Sequence, residues 1–539
     1  MLMSKMRTNR RCRRWVGVAA LSAALGTAGA ASAQSPTVKV SGFQVTGNTL
    51  IERARVDAVL MSMLGQRTLE ELHRAAAAVQ ALYEAEGYGA VVAYLPPQSG
   101  QDGLITIAVV EGKVSAIDVQ GASTFGQDNI KASLPSLQLG RTPRLRDIDA
   151  ELRIANENPS KQVQVLMKPG KRSGDAEVEL QVKELPLNRF SASLDNSGNE
   201  RTGDYRATVG WQHGNLTGHD DVAGAQLQVS PTEPQQVRVI SAGYRWPLYE
   251  RHMVIDAFAA YSDIDGGSSA TLAGDLRFVG RGRVFGTRVG WYLPRWGEFD
   301  RRLTFGLDRR AYVNRCDIDG LPFGACGPAG ESVTVNPLSI EYSLQSAGAA
   351  PASLSVALLH NLRLGGTHTS AASFEAARAG AKPGYSALRL GLSAAWAIDE
   401  QWLLRGRLSG QWTPDPLVSG EQFGLGGAQS LRGYEERELV GDMGLAGAIE
   451  LTGPAWLEPG GGLGALRPLA FVDAGVVRNQ GDMPCVEARS QCSIASAGVG
   501  LRYALGSLQA RVDLAYALKA AARTQRGDTR AHVALQIGF

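Results

Sequence analysis

The sequence predicts a mostly β chain: a 16-stranded antiparallel transmembrane β-barrel over residues 187–539, preceded by two small α+β domains. Three observations lead to that expectation. The amino terminus has the form of an export signal, and nothing after it reads as a membrane helix. Two segments of one element order repeat 74 residues apart. The last 353 residues then alternate apolar and polar side chains.

Lys5, Arg7, Arg10, Arg11, Arg13 and Arg14 form a basic stretch and Trp15 to Ala24 an apolar one. Ala31-Ser32-Ala33 offers a small-residue cleavage site, so residues 1–33 read as a signal peptide. The apolar run is too short to anchor a helix in a bilayer. The full chain has a formal charge of +3, but without residues 1–33 there are 49 basic against 52 acidic residues. The basicity belongs to the signal, and nothing points to a nucleic-acid partner. The charge-free stretch Tyr342 to Leu362 holds Gly348, Ala349, Ala350 and Pro351 at its centre, and reads as two strands about a turn.

The repeat covers residues 36–112 and 113–184, with Phe43-Gln-Val-Thr-Gly-Asn48 returning as Ile117-Asp-Val-Gln-Gly-Ala122. In the first domain a strand over 38–46 precedes a helical pattern over 51–64. Thr68, with Glu71 three residues on, opens a second helix whose apolar face is Leu72, Ala76, Val79 and Tyr83, and Gly87 suits its end. Strands follow at 89–95 and 104–110. The second domain repeats the order: a strand at 114–120, helices near 127–134 and 144–156 with Pro143 in a first turn, and strands at 162–168 and 175–183.

From Leu187 on, Tyr205, Ala207, Val209 and Trp211 face one side, and Arg206, Thr208, Gly210 and Gln212 the other. Near the end Leu508, Ala510, Val512, Leu514 and Tyr516 oppose Gln509, Arg511, Asp513 and Ala515 in the same way. Period two with charged groups on one face suits a sheet with lipid outside and water inside. A soluble sandwich also alternates, but the number and length of the segments, and a final strand ending on Phe539, favour the barrel. Sixteen strands fit, from 189–196 to 531–539, with the twelfth at 436–452 and the thirteenth at 467–477. The first must rise from the periplasm, which puts the segment 413–435 on the outer side.

Cys12 belongs to the signal; the others fall as Cys316 with Cys326 and Cys485 with Cys492, both pairs in outer loops. An oxidising compartment favours a disulfide within each loop, although four cysteines allow three connectivities. Metal binding is the rival, and no histidine lies near either pair. No G-x-S-x-G, H-E-x-x-H or Walker loop is present, so no catalytic residue, cofactor or metal ligand is assigned. Glu458 to Gly464 reads as a turn and His219-Asp220-Asp221 as a solvated one.

The β-α-α-β-β order of both repeats is similar to POTRA domains. Tyr94-Leu-Pro-Pro-Gln98, followed by Val110-Glu-Gly112, resembles the first POTRA domain of two-partner secretion transporters, the TpsB family. Leu431-Arg432-Gly433-Tyr434, followed by Phe471-x-Asp473-x-Gly475, resembles the signature pair of that superfamily. The resemblance implies that 413–435 folds back into the barrel and that Arg432 pairs with Asp473 on its wall. It also implies a monomer in the bacterial outer membrane, placed there by the barrel-assembly machinery, with its POTRA domains in the periplasm. There they would capture the N-terminal domain of a large exoprotein, threaded outward through the barrel. Some members carry an extra plug helix; only Gln34, Ser35 and Pro36 precede the first strand here, so none is expected. The rival reading is an insertase of the same superfamily, which shares the loop. Two POTRA units and the Pro-Pro-Gln and Val-Glu-Gly matches favour secretion, and a passive porin needs no such units.

Overall fold

The computed structural model describes residues 36–539 apart from 100–101, 173, 200–201, 236, 272–273, 314–330, 349, 458–461 and 487–488. The signal peptide, Cys316 and Cys326 lie outside the described residues.

In the first unit Leu104–Glu111 is the central strand, parallel to Gly42–Thr46 and antiparallel to Val91–Tyr94. Helices α1 (Arg53–Leu60) and α2 (Leu69–Ala85) cover one face, with Val56, Leu60, Val79 and Tyr83 packed on Val91, Ile107 and Val109. The opening of α2 is a capping box: the Glu71 N–H donates to Thr68 Oγ1 (3.3 Å) and the Thr68 N–H to the Glu71 carboxylate (2.8 Å). The strand expected over 38–46 is two strands, because the N–H groups of Ser41 and Gly42 both turn to the Gly103 carbonyl. The first piece, Thr37–Val40, pairs with Gly65–Thr68, a strand that the sequence did not suggest.

The second unit repeats the plan, with Asp175–Glu184 between Lys113–Gln120 and Lys161–Pro169, and helices α3 (Gln127–Ala132) and α4 (Leu145–Asn156). Pro143 lies just before the cap residue Arg144, not in the first turn. The repeated glycine has a steric cause. Gly47 and Gly121 have φ of +78° and +82°, and a Cβ on either would come within 2.1 and 2.2 Å of a central-strand carbonyl.

The barrel closes where Asn188–Asp195 pairs with both Arg206–His213 and Thr529–Gly538. Every neighbouring pair is antiparallel, and the sixteen strands agree with the expectation. Val333–Val335 and Pro337–Ser346 are one strand interrupted at Asn336, since both pair with Phe299–Tyr312. Val209, Val512, Leu514, Leu535 and Ile537 are exposed on the outside, where lipid covers them. Met253–Thr271 and Gly274–Trp296 form a hairpin of 19 and 23 residues, longer than a bilayer requires.

Helix α4 sits on the barrel's periplasmic rim. Ala150 and Ile154 pack on Val254 and Tyr292, while Arg153 donates to the Leu293 carbonyl (2.9 Å). Below the strand Arg206–His213, the turn holding His219-Asp220-Asp221 corrects the sequence reading: only His219 is exposed. Asn158 donates to Asp220 Oδ1 and to the Gly214 carbonyl (2.6 Å each), and Lys161 Nζ lies 2.7 Å from Asp220 Oδ2. A polar turn looks solvated in sequence; docking against the second unit buries it.

Candidate functional site

Between the strands Leu403–Trp412 and Met443–Thr452 the chain leaves the wall and folds inward. The twelfth strand therefore begins at Met443, not at 436. Phe423–Leu425 and Leu439–Gly441 pair antiparallel as the stem of a hairpin. Gly426 and Gly427, at φ +111° and +99°, turn the chain away from that stem. A Cβ on Gly426 would meet the Glu435 carbonyl at 2.2 Å.

The tip lies in the lumen, because its side-chain partners occupy inward positions on four of the last five strands. Arg432 Nε and Nη2 donate to the two oxygens of Asp473 (2.8 and 2.9 Å), and the Arg432 backbone N–H adds a third bond at 3.1 Å. Arg432 Nη1 donates to Glu450 (3.1 Å) and lies 3.7 Å from Asp513. The guanidinium is stacked on Phe471, 3.3 Å from the ring centroid. Asp473 is fully buried and Arg432 6% exposed, so water does not dilute the pair as it does at a surface.

The neighbouring motif residues fit the tip to the wall. The Gly433 N–H donates to His532 Nε2 (3.0 Å), and at φ +91° a Cβ there would lie 3.2 Å from that of Ala515. The Tyr434 hydroxyl donates within reach of the Ala495 and Lys519 carbonyls (2.7 and 2.8 Å). Leu431 packs with Leu425, Tyr434, Val477 and Ile494. Gly475 leaves room for Leu425 and Leu431, whose methyls would be 2.9–3.1 Å from a Cβ.

The stem has a second hold that sequence reasoning missed. Buried Glu421 accepts from Arg310 (3.0 Å), Tyr312 (2.8 Å) and Arg389 (3.3 Å). Asp442 accepts from Arg378 (2.8 Å) and from the N–H groups of Leu417 and Gln480 (2.9 and 2.8 Å). Arg378 follows α5 (Ala371–Ala377), so a further outer loop grips the hairpin. Glu421 opens the glycine-rich stretch itself, but no local signal names partners 32 to 111 residues upstream. Glu450, Asp513 and His532 were more accessible, being charged or polar at inward positions of alternating strands.

Cys485 and Cys492 are joined by a disulfide. Cys485 lies in the expected outer loop, between the strands Ala465–Arg478 and Gln491–Leu505, but Cys492 does not. The Val486–Arg489 bridge shortens the loop, and the strand begins at Gln491. Cys492 therefore stands opposite Val477 and packs in the apolar cluster of Leu431 and Tyr434. Among the described residues no group of three His, Cys, Asp or Glu side chains could hold a metal ion.

A closed outer-membrane barrel with an anchored inward hairpin, and peptide-module units docked at its periplasmic end, has the architecture of a polypeptide transporter. A family model described as haemolysin secretion/activation protein ShlB/FhaC/HecB matches residues 174–503, and one for the ShlB-type POTRA domain matches 38–112. The chain belongs to that haemolysin secretion/activation family: it is an outer-membrane transporter of two-partner secretion. The outer membrane transporter CdiB of Escherichia coli is 25% identical over 511 residues, covering 90% of this chain and 80% of the relative. The heme/hemopexin transporter protein HuxB of Haemophilus influenzae (strain 86-028NP) is 26% identical over 167 residues, 30% of this chain and 29% of the relative. The solved structure of CdiB from Escherichia coli superimposes with a TM-score of 0.78 at 22% identity, covering 95% of this chain and 92% of that one, which establishes the common fold.

Proposed function

We propose that residues 36–112 and 113–184 are two POTRA domains that receive the N-terminal secretion domain of a large exoprotein, and that the barrel 187–539 conducts it outward. Residues 1–33 direct export of the transporter itself. The hairpin closes the lumen at rest; Leu431, Arg432, Gly433 and Tyr434 hold it to a wall site made by Phe471, Asp473 and Gly475. Bridges Cys316–Cys326 and Cys485–Cys492 brace the outer end. The protein works as a monomer without catalytic residues, cofactor or metal, is inserted by the barrel-assembly machinery, and contacts no nucleic acid. Direction comes from the exoprotein folding outside.

The observation behind this reading is the bidentate Arg432–Asp473 pair, which ties a displaceable hairpin to one buried point of the wall. Breaking such a pair leaves Asp473 uncompensated, at a cost of about 3–5 kcal/mol. Arg432→Ala should reduce secretion of the cognate exoprotein sharply while the barrel still assembles. Arg432→Lys, which cannot make the planar two-bond contact, should rescue little. Wild-type secretion by Arg432→Ala at equal outer-membrane abundance would remove the hairpin from the mechanism.

A further inference from the structure

We infer that the periplasmic side of the lumen is a binding site for carboxylate groups, taking acidic side chains of an extended polypeptide as it approaches the hairpin. This inference deepens the translocator reading and rests on it.

The strand register places Arg467 directly opposite Arg502, and Arg502 directly opposite Arg511. Alternation turns all three inward, since Arg467 is six residues from Asp473 and Arg511 two from Asp513, both lumenal. Like charges directly opposite on neighbouring strands repel. Only the middle group is compensated, by Asp513 (2.7 and 3.0 Å) and Glu450 (3.5 Å). The side chains of Arg467 and Arg511 have neither ion pair nor hydrogen bond to a described residue.

Two adjoining cavities of about 430 and 400 Å³ share Arg405 and Arg502. The upper one reaches the hairpin tip at Ala428 and Gln429, and five arginines line it against two carboxylates, Glu450 and Asp513. Those two carboxylates are already engaged by Arg432, Arg502 and, at 3.9 Å, Arg405, while Arg407 donates to the Ser430 carbonyl (3.1 Å), which leaves Arg511 as the cavity's uncompensated cation. The lower cavity adds Arg467 beside Asp399 and Glu400. Asp399 accepts the N–H groups of Gln401 and Trp402 (2.8 Å each), and neither it nor Glu400 forms an ion pair with Arg467.

The row is therefore short of anions. A guanidinium takes a carboxylate through two parallel hydrogen bonds, which makes an Asp or Glu side chain its natural complement. The position selects a polypeptide as the source. Both cavities lie between the Arg432 anchor and the rim where α4 docks, on the path from the periplasmic units to the hairpin.

The test uses the full-length protein in detergent and a fluorescein-labelled decaglutamate, with binding read by anisotropy at low salt. Wild-type protein should bind it, and decalysine should not. The double variant Arg467→Gln, Arg511→Gln should weaken binding at least tenfold while keeping the heat-modifiable mobility of a folded barrel. Arg511→Gln alone provides a second variant should the double one fail to assemble, and it should weaken binding by a smaller factor. Unchanged affinity in the folded variants, or equal binding of decalysine, would overturn the proposal. Displacement of decaglutamate by inorganic phosphate at equal charge concentration would overturn the polypeptide assignment, leaving a small-anion site. Binding is read without secretion, so its failure leaves the translocator reading standing, and a failed Arg432 test leaves this one readable.

Discussion

Glu111 and Glu184 end the central strands of the two periplasmic units and do the same work. Glu111 accepts the N–H groups of Thr49 (2.7 Å) and Leu50 (3.0 Å), and Glu184 those of Thr124 and Phe125 (2.9 Å each). Each carboxylate ties down the turn after the repeated glycine. Burial alone would raise the Glu184 carboxyl, but the Phe125 and Thr124 N–H groups and the Ser123 hydroxyl outweigh it and lower it from 4.5 to about 2. Glu111 is lowered for the same reason. A depressed carboxyl contributes stability that is present above its unfolded value and lost as pH falls through the folded one. The thermal stability of the periplasmic half in the full-length protein should therefore decline as pH falls from about 4.5 to about 2. Glu184→Gln should flatten that decline; because the carboxyl is only partly buried and solvent screens its bonds, the change should be about 1 kcal/mol. An identical slope in both proteins would show that other groups set the acid limit. At this scale legibility depended on context. Asp473 was found because a motif surrounds it, whereas Asp220, equally buried, was missed because nothing nearby in sequence names Lys161.

Among the elements, long alternating strands were legible because period two is imposed on every residue by lipid on one side and water on the other. The two capping-box residues of α2 were legible for a similar reason, their chemistry being local. The hairpin stem was not. Phe423–Leu425 and Leu439–Gly441 are three residues each, and their partners are fourteen or more residues apart, so 436–442 read as the start of a wall strand. The contact between α4, the turn Gly214 to Asp221 and the rim was also hidden, and it yields a prediction about how firmly the two halves are joined. Lys161 and Asp220 are both nearly without solvent contact, with Asn158 and the Tyr249 hydroxyl completing the carboxylate's surroundings. Burial lowers the Lys161 ammonium's proton affinity and raises that of the Asp220 carboxyl, and each partner opposes the shift of the other. Lys161→Met strands Asp220 and should destabilise the junction by about 3–5 kcal/mol. Lys161→Met with Asp220→Asn should recover much of that loss. Protease cleavage near Leu185 to Leu187, where the halves join, reads the difference. Equal cleavage of wild type and Lys161→Met would mean that the other contacts, the packing of Ile154 on Tyr292 and the Arg153 and Asn158 hydrogen bonds, hold the joint without the ion pair.

At the scale of the whole molecule, the fold sets a vertical order: two sheet-and-helix units, a rim, an arginine-rich vestibule, an anchored hairpin and the outer loops. Each unit presents two sheet edges, Gly42–Thr46 and Val91–Tyr94 in the first, Lys113–Gln120 and Lys161–Pro169 in the second, to which an extended chain can add by backbone hydrogen bonds. Backbone pairing is indifferent to sequence, so partner choice must lie in side chains beside those edges. The second unit is committed to the rim through α4, Asn158 and Lys161. The first touches it through fewer bonds, Arg144 with Tyr88 (2.9 Å) and the Leu145 N–H with the Gly87 carbonyl (2.8 Å). Deletion of residues 36–112 should therefore leave the second unit docked and the barrel assembled, while export of the cognate exoprotein falls at least tenfold. Binding of the exoprotein's N-terminal domain should weaken in parallel, since an unfolded chain must be ordered at the edge that receives it. A proline within Val91–Tyr94 removes one backbone donor without deleting the unit, and should lower binding if that edge is the one used. Export at the wild-type level by the deleted protein, at equal outer-membrane abundance, would reduce the first unit to a spacer and leave recognition to the second unit and the vestibule.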